Sequence, residues 1–214
     1  MIRKFCSLVF CVIASLLLLA GCSSHPPSAA QFMNVKKNEG SLSLGGVFLS
    51  GDLYDKEGTL IEDVDKGFFF VLSGYGRVDL FELGVSLSLE IVSLVPIFGV
   101  RGEYFGMQGW GFFKETEHCD GKSRTIWIGG GMLIQQYPIT QHFKIGLSEH
   151  ISNNLTFESD PDDSGFFNFK NAYYTEFGIG TYLTYKGLSL EFRYGREIGE
   201  PRNRFYFMTN YGTF

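Results

Sequence analysis

From Asp79 to Val92 the chain reads DLFELGVSLSLEIV, with Phe81, Leu83, Val85, Leu87, Leu89 and Ile91 at every second position. Glu82, Gly84, Ser86, Ser88 and Glu90 fall between them. Side chains alternate faces along a strand, so this stretch predicts one strand with a continuous apolar face and a small, charged opposite face. About a dozen residues of alternation matches the roughly 9–11 that a tilted strand needs to cross a bilayer. The same pattern, broken by turns, fills the rest of the chain. Strands are predicted over 41–50, 67–75 and 79–92; Pro96 marks a break, and alternation resumes over 100–105 with Arg101 and Glu103 on one face. A turn over 106–109 leads into a short strand at 109–114. Further strands are predicted over 125–137, from Phe143 onward, over 173–185 and 188–194 as a hairpin across Lys186-Gly187, and over 204–214. The sum is about ten strands, or eight if 97–114 is one strand and an end is dropped. The fold class is all-β: a single antiparallel up-and-down membrane β-barrel.

Connection lengths sort by parity. Polar connections at 52–66, 115–124, 153–172 and 197–203 alternate with short ones at 77–80, 106–109, 138–142 and 186–187, the short 93–96 excepted. Short turns at one end and long loops at the other is the habit of bacterial barrels. An internal echo agrees. YGRVDLFELGVS at 75–86 and YPITQHFKIGLS at 137–148 begin 62 residues apart, and each spans a strand, a turn and the next strand. Both turns are therefore expected at one end of the barrel.

The polar face decides between a membrane barrel and a soluble one. Glu82, Glu90, Arg101, Glu103, Glu191 and Arg193 fall opposite the apolar stripes. A lumen holding both signs can pair them, while wide apolar stripes on the outside need lipid. A soluble, lipocalin-like barrel with an apolar ligand would need the reverse arrangement. Aromatics at strand ends, Phe81, Tyr104, Tyr185 and Tyr194, suit the interfacial girdles. The terminal Phe214 resembles the carboxy-terminal aromatic of outer-membrane β-barrel proteins, although Gly212 and Asn210 stand where that pattern carries apolar residues.

The amino terminus changes the picture from barrel to anchored barrel. Arg3 and Lys4 precede an apolar run from Phe5 to Leu19, too short to span as a helix, that ends in Leu19-Ala20-Gly21-Cys22. That tetrapeptide resembles the lipobox of bacterial lipoproteins, which implies that Cys22 is acylated and becomes the first residue of the mature chain. Residues 1–21 are then a lipoprotein signal peptide, 22–40 a flexible tether and 41–214 the barrel domain. Cleavage after Ser28-Ala29-Ala30 is disfavoured, because that site lies beyond the apolar run and behind Pro26 and Pro27. Removing residues 1–21 takes two of the 18 basic residues and none of the 23 acidic ones, leaving a net charge of −7. A nucleic-acid partner is disfavoured by that sign. Cys6 and Cys11 leave with the signal, so Cys119 stands alone without a disulfide partner.

Candidate chemistry is sparse. Glu149-His150-Ile151-Ser152-Asn153 resembles the His-x-Ser-Asn motif of outer-membrane lipid A 3-O-deacylases, eight-stranded barrels that hydrolyse an ester of lipopolysaccharide. The resemblance implies His150 as base and Ser152 as nucleophile. It covers about five residues, then departs at Asn154 and Leu155, and Ser164 stands where the family places its acid; Glu158 and Glu176 are the nearest carboxylates. Continuing the alternation from Phe143, Ile145 and Leu147 turns Glu149 and Ile151 outward and His150 and Ser152 into the lumen, away from a lipid ester. Catalysis is not expected. Asp160, Asp162, Ser164 and Gly165 follow the opening of a calcium loop, but Asn171 replaces its twelfth-position glutamate and no helices flank it. His25, His118 and His142 stand apart, so no metal site is expected, and no motif calls for a cofactor. The sequence thus points to a lipid-anchored barrel of a Gram-negative-type outer membrane. Its expected partners are outer-membrane lipids, and its expected role is structural, surface-exposed or narrow permeation.

Overall fold

The structure is a computed structural model that describes residues 25–51, 53–54, 60–61, 67–80, 83–90, 93–117, 123–159, 169–199 and 202–212. One short helix, α1 (Ala29–Asn34), precedes β1 (Gly40–Gly51), β2 (Leu53–Tyr54), β3 (Leu60–Ile61), β4 (Gly67–Leu80), β5 (Leu83–Glu90) and β6 (Ser93–Arg101). There follow β7 (Phe105–Glu117), β8 (Ser123–Pro138), β9 (Phe143–Ser159), β10 (Phe169–Tyr185), β11 (Leu188–Glu197) and β12 (Arg202–Gly212). Strands β4 to β12 pair in sequence order, and β1 closes the barrel by pairing antiparallel with both β12 and β4. Ten strands make the barrel, and β2 and β3 form a separate ladder inside the first long connection. Closure gives every barrel strand a neighbour on both sides, which is what a sheet in hydrocarbon requires.

The registers are continuous and run from five residue pairs between β6 and β7 to seventeen between β9 and β10. Strands β9 and β10 pair continuously from Tyr185↔Phe143 to Phe169↔Ser159. The short connections 81–82, 102–104, 139–142 and 186–187 share one end with the start of β1 and the end of β12, as connection parity and the internal echo require. Four details of the sequence reading change. The turn expected over 77–80 is the end of β4, where Arg77 to Leu80 pair with Ser86 to Leu83, so β5 begins at Leu83 and not at Asp79. Pro96 does not break the chain: it sits inside β6, opposite Leu87 of β5. The turn expected over 106–109 lies instead at 102–104, because Phe105–Glu117 pairs as one strand with β8. Glu103 consequently lies exposed in that turn and not in the lumen.

The apolar and polar faces sort as alternation demands. Along β11 the odd positions Ser189, Glu191, Arg193, Gly195 and Glu197 are buried, while Leu188, Phe192, Tyr194 and Arg196 are exposed. Leu147, Ile151, Phe177, Ile179, Leu183, Phe205 and Phe207 face outward on the neighbouring strands, each about half exposed. Inside lie Ser148, His150, Ser152, Asn154, Glu176, Glu191, Arg193, Arg204 and Asn210, none more than 3% exposed. An outer surface this apolar is not tolerated as a contiguous patch in water, whereas hydrocarbon solvates it. Of β5 only the backbone is described, Glu90 included, and Phe81, Glu82, Cys119, Phe214 and the acidic run at 160–163 lie outside the described residues.

Candidate functional site

The interior of the barrel is the place where polar chemistry gathers, and its largest occupant is the chain's own amino-terminal segment. Residues 25–35 were expected to be part of a tether. They are buried in the lumen, and residues 29–34 of them form α1. The sequence carries the local reason. Ser28 and Gln31 have the spacing of a capping box, and the Ser28 Oγ accepts from the Gln31 amide at 3.2 Å. Ala29, Ala30, Phe32, Met33 and Val35 then supply the apolar surface, packed against Tyr75, Val95, Ile97, Trp110, Met132, Ile134 and Tyr182 of the wall. A six-residue helix is unstable alone, so this packing is what holds it.

The two ends of the segment meet opposite charges. At its start, the Glu191 carboxylate accepts from Ser28 Oγ at 2.5 Å, Ala29 N at 3.1 Å and Ala30 N at 3.3 Å. Those amides are ones the helix itself leaves without partners. At its end, Arg101 donates to the Phe32 carbonyl at 2.6 Å and to the Val35 carbonyl at 2.7 Å, with Arg77 adding a 3.4 Å bond to Val35. Glu191 is on β11 and Arg101 on β6, five strands apart in a ring of ten, so the segment crosses the lumen from wall to opposite wall. Side bonds fix its rotation. Gln31 donates to Ser41 Oγ at 2.8 Å, and Asn34 Oδ1 accepts from Lys144 at 2.9 Å. Pro27 O accepts from Arg193 at 3.1 Å, and Arg193 in turn pairs with Glu191 at 3.4 Å.

A second polar cluster lies on the β9–β12 wall. His150 Nε2 meets Glu176 Oε1 at 2.7 Å, both side chains fully buried, and the Tyr206 hydroxyl donates to the same carboxylate at 2.8 Å. Arg204 stacks over the Tyr174 ring at 3.3 Å and donates to Glu197 at 2.9 Å. Inward glycines make the room. An added Cβ at Gly178 would strike the His150 ring, one at Gly195 the Glu176 carboxylate, and one at Gly180 the Arg193 stem. These three inward side chains thus each lie over a neighbouring strand's glycine.

This arrangement decides what the deacylase-like residues can do. His150 and Ser152 point into the lumen at 2% exposure each, and the continuous pairing of β9 with both neighbours leaves no bulge to turn them outward. Glu176 does reach His150 from β10 and completes a histidine–carboxylate pair. Ser152 takes its hydrogen bond from Asn154 Nδ2 at 2.9 Å, while the bonded ring nitrogen of His150 is committed to Glu176. A serine that no base contacts is not activated. Glu149 and Ile151 face outward. Among the described residues no group of three or more His, Cys, Asp or Glu side chains is placed to hold a metal ion, His25 being buried in the lumen and His142 exposed.

Sequence reading found Glu191, Arg193 and Arg101 as lumenal charges and named Glu176 as a nearby carboxylate. It missed the helix they hold, although the capping box at 28–31 was its signal. No family model matches the chain, and no curated protein matches it in sequence. Solved structures with a similar course include Neisserial surface protein A, with TM-score 0.44, 8% identity and coverage of 82% of this chain and 95% of that one. Ail, the attachment invasion locus protein of Yersinia pestis, covers 83% of this chain and 99% of its own at 12% identity and TM-score 0.32. The N-terminal β-barrel domain of Pseudomonas aeruginosa OprF covers 82% and 98% at 7% identity and TM-score 0.33. At these scores the likeness carries no argument about function, and the functional reading rests on the residues of this chain.

Proposed function

We propose that this protein is a small outer-membrane barrel, lipid-anchored through Cys22, with a structural or surface-exposed role and no catalysis. The observation that carries the membrane reading is the inversion of the barrel: Leu147, Ile179, Phe192 and Phe207 outside, Glu176, Glu191, Arg193 and Arg204 inside. A lipocalin-like carrier needs the opposite. General permeation is disfavoured because residues 25–35 occupy the lumen. The anchor is supported by the sequence at 19–22 and by the plug itself. Cleavage after Ala30 would remove Ser28 and the amides that Glu191 binds, whereas processing at Cys22 keeps the whole segment.

Fractionation tests the reading directly. The protein should sediment with outer membranes, require detergent for release and migrate faster unheated than boiled on a denaturing gel. Recovery in the soluble fraction after cell breakage, with no heat-dependent mobility, would overturn it.

A further inference from the structure

The lumenal segment and the wall that holds it have an unusual division of labour. The ten-strand ladder is complete without residues 25–35: every barrel strand pairs with two others, and α1 adds no strand to it. The segment is held instead by side chains, through the apolar packing of Phe32, Met33 and Val35 against the wall and through polar contacts at its ends. Glu191 takes its leading amides, Arg101 and Arg77 take its last carbonyls, and Ser41 binds its middle through Gln31. At the Glu191 end an ion pair within the wall remains in the segment's absence, since Glu191 and Arg193 face one another at 3.4 Å. A segment essential to the barrel's closure would share its backbone hydrogen bonds. This one occupies a site.

We propose that the lumen contains a built-in peptide-binding site, between Glu191 of β11 and Arg101 of β6, and that residues 25–35 act there as a removable seal. The ligand class is a short helical peptide whose leading amides meet a buried carboxylate and whose last carbonyls meet a guanidinium. With the segment seated the barrel is closed to ions, and with it withdrawn the barrel conducts. The proposal rests on the membrane-barrel reading above.

The experiment compares full-length protein with a variant lacking residues 25–35, each purified in detergent and inserted into planar bilayers. The full-length chain should be silent. The deletion variant, shown to be folded by heat-dependent mobility, should carry ion current. A synthetic peptide of residues 25–35 should block that current where a scrambled peptide does not, and Glu191→Gln in the deletion background should weaken the block about tenfold or more, as loss of charge-assisted bonds requires. Equal currents with and without the segment, a folded deletion variant that stays silent, or equal block by both peptides would overturn the proposal. Should the deletion fail to fold, Glu191→Gln in the full chain provides the second route. It should give brief openings that the wild-type chain does not show; a Glu191→Gln protein as silent as wild type would refute the seal. Protein found water-soluble sinks the membrane reading itself, whereas a membrane-embedded barrel silent in every form sinks only the seal.

Discussion

At the scale of the residue, the lumen shows how charges survive burial. Glu176 is fully buried, yet its oxygens accept from Tyr206 and meet His150. Glu197 accepts from Arg204, which also stacks on Tyr174. Breaking such a cluster costs more than forming it gains, because the partners left behind cannot reach water. Glu176→Ala should therefore destabilise the barrel by about 1–3 kcal/mol for each partner it strands. Glu176→Gln, which keeps an acceptor for Tyr206, should cost less. Urea unfolding in lipid vesicles checks both, and equal stability of Glu176→Ala and wild type would show that the cluster contributes nothing.

At the scale of the element, each strand is a two-sided object whose outer side is read by depth. Phe192 lies within β11, opposite Thr181 and Phe207, while Leu188 opens β11 beside the short turn at 186–187. On a lipid-facing surface an arginine costs about 2–4 kcal/mol near the midplane and about 0–1 kcal/mol near the interface. Phe192→Arg should accordingly be the damaging change and Leu188→Arg the mild one, by unfolding free energy in vesicles. Equal effects at the two depths would mean that the outer face does not meet a bilayer. The helix follows different rules. Its six residues satisfy only part of their backbone internally, and the remaining amides and carbonyls are met by Glu191, Arg101 and Arg77.

At the scale of the molecule, closure of the barrel sets what His150 and Ser152 can meet. Among the described residues the β8–β9–β10 wall around them is unbroken, so a lipid ester would not reach them sideways through it. Purified protein in detergent should leave lipid A intact by mass spectrometry; release of the 3-linked acyl chain, lost again in Ser152→Ala and His150→Ala, would defeat the non-catalytic reading. The anchor is a separate question with its own assay. Cys22→Ser should abolish metabolic labelling with palmitate and leave the heat-dependent mobility of the barrel unchanged, since the ladder does not involve residue 22. Labelling that persists in Cys22→Ser would move the acylation elsewhere.

What the sequence determined by itself is the sidedness of the strands. A period of two leaves no freedom: once Leu147 faces out, Ser148, His150 and Ser152 must alternate with it, and the outward Phe192 and Tyr194 commit Glu191 and Arg193 to the lumen. Strand number, hairpin sense and the parity of the connections were legible for the same reason, because each depends on neighbours in the chain. Boundaries were less so. Pro96 reads as a breaker locally, and only its position inside β6 opposite Leu87 shows that the strand runs through it. The lumenal segment was beyond local reading altogether. Ala29 to Val35 is too short to be a helix in water, and its sequence next to Pro26 and Pro27 reads as linker. It becomes a helix because a ring of ten strands brings Glu191 to one end of it and Arg101 to the other. Those two residues are 90 apart in the chain, and only closure of the barrel sets them across one lumen.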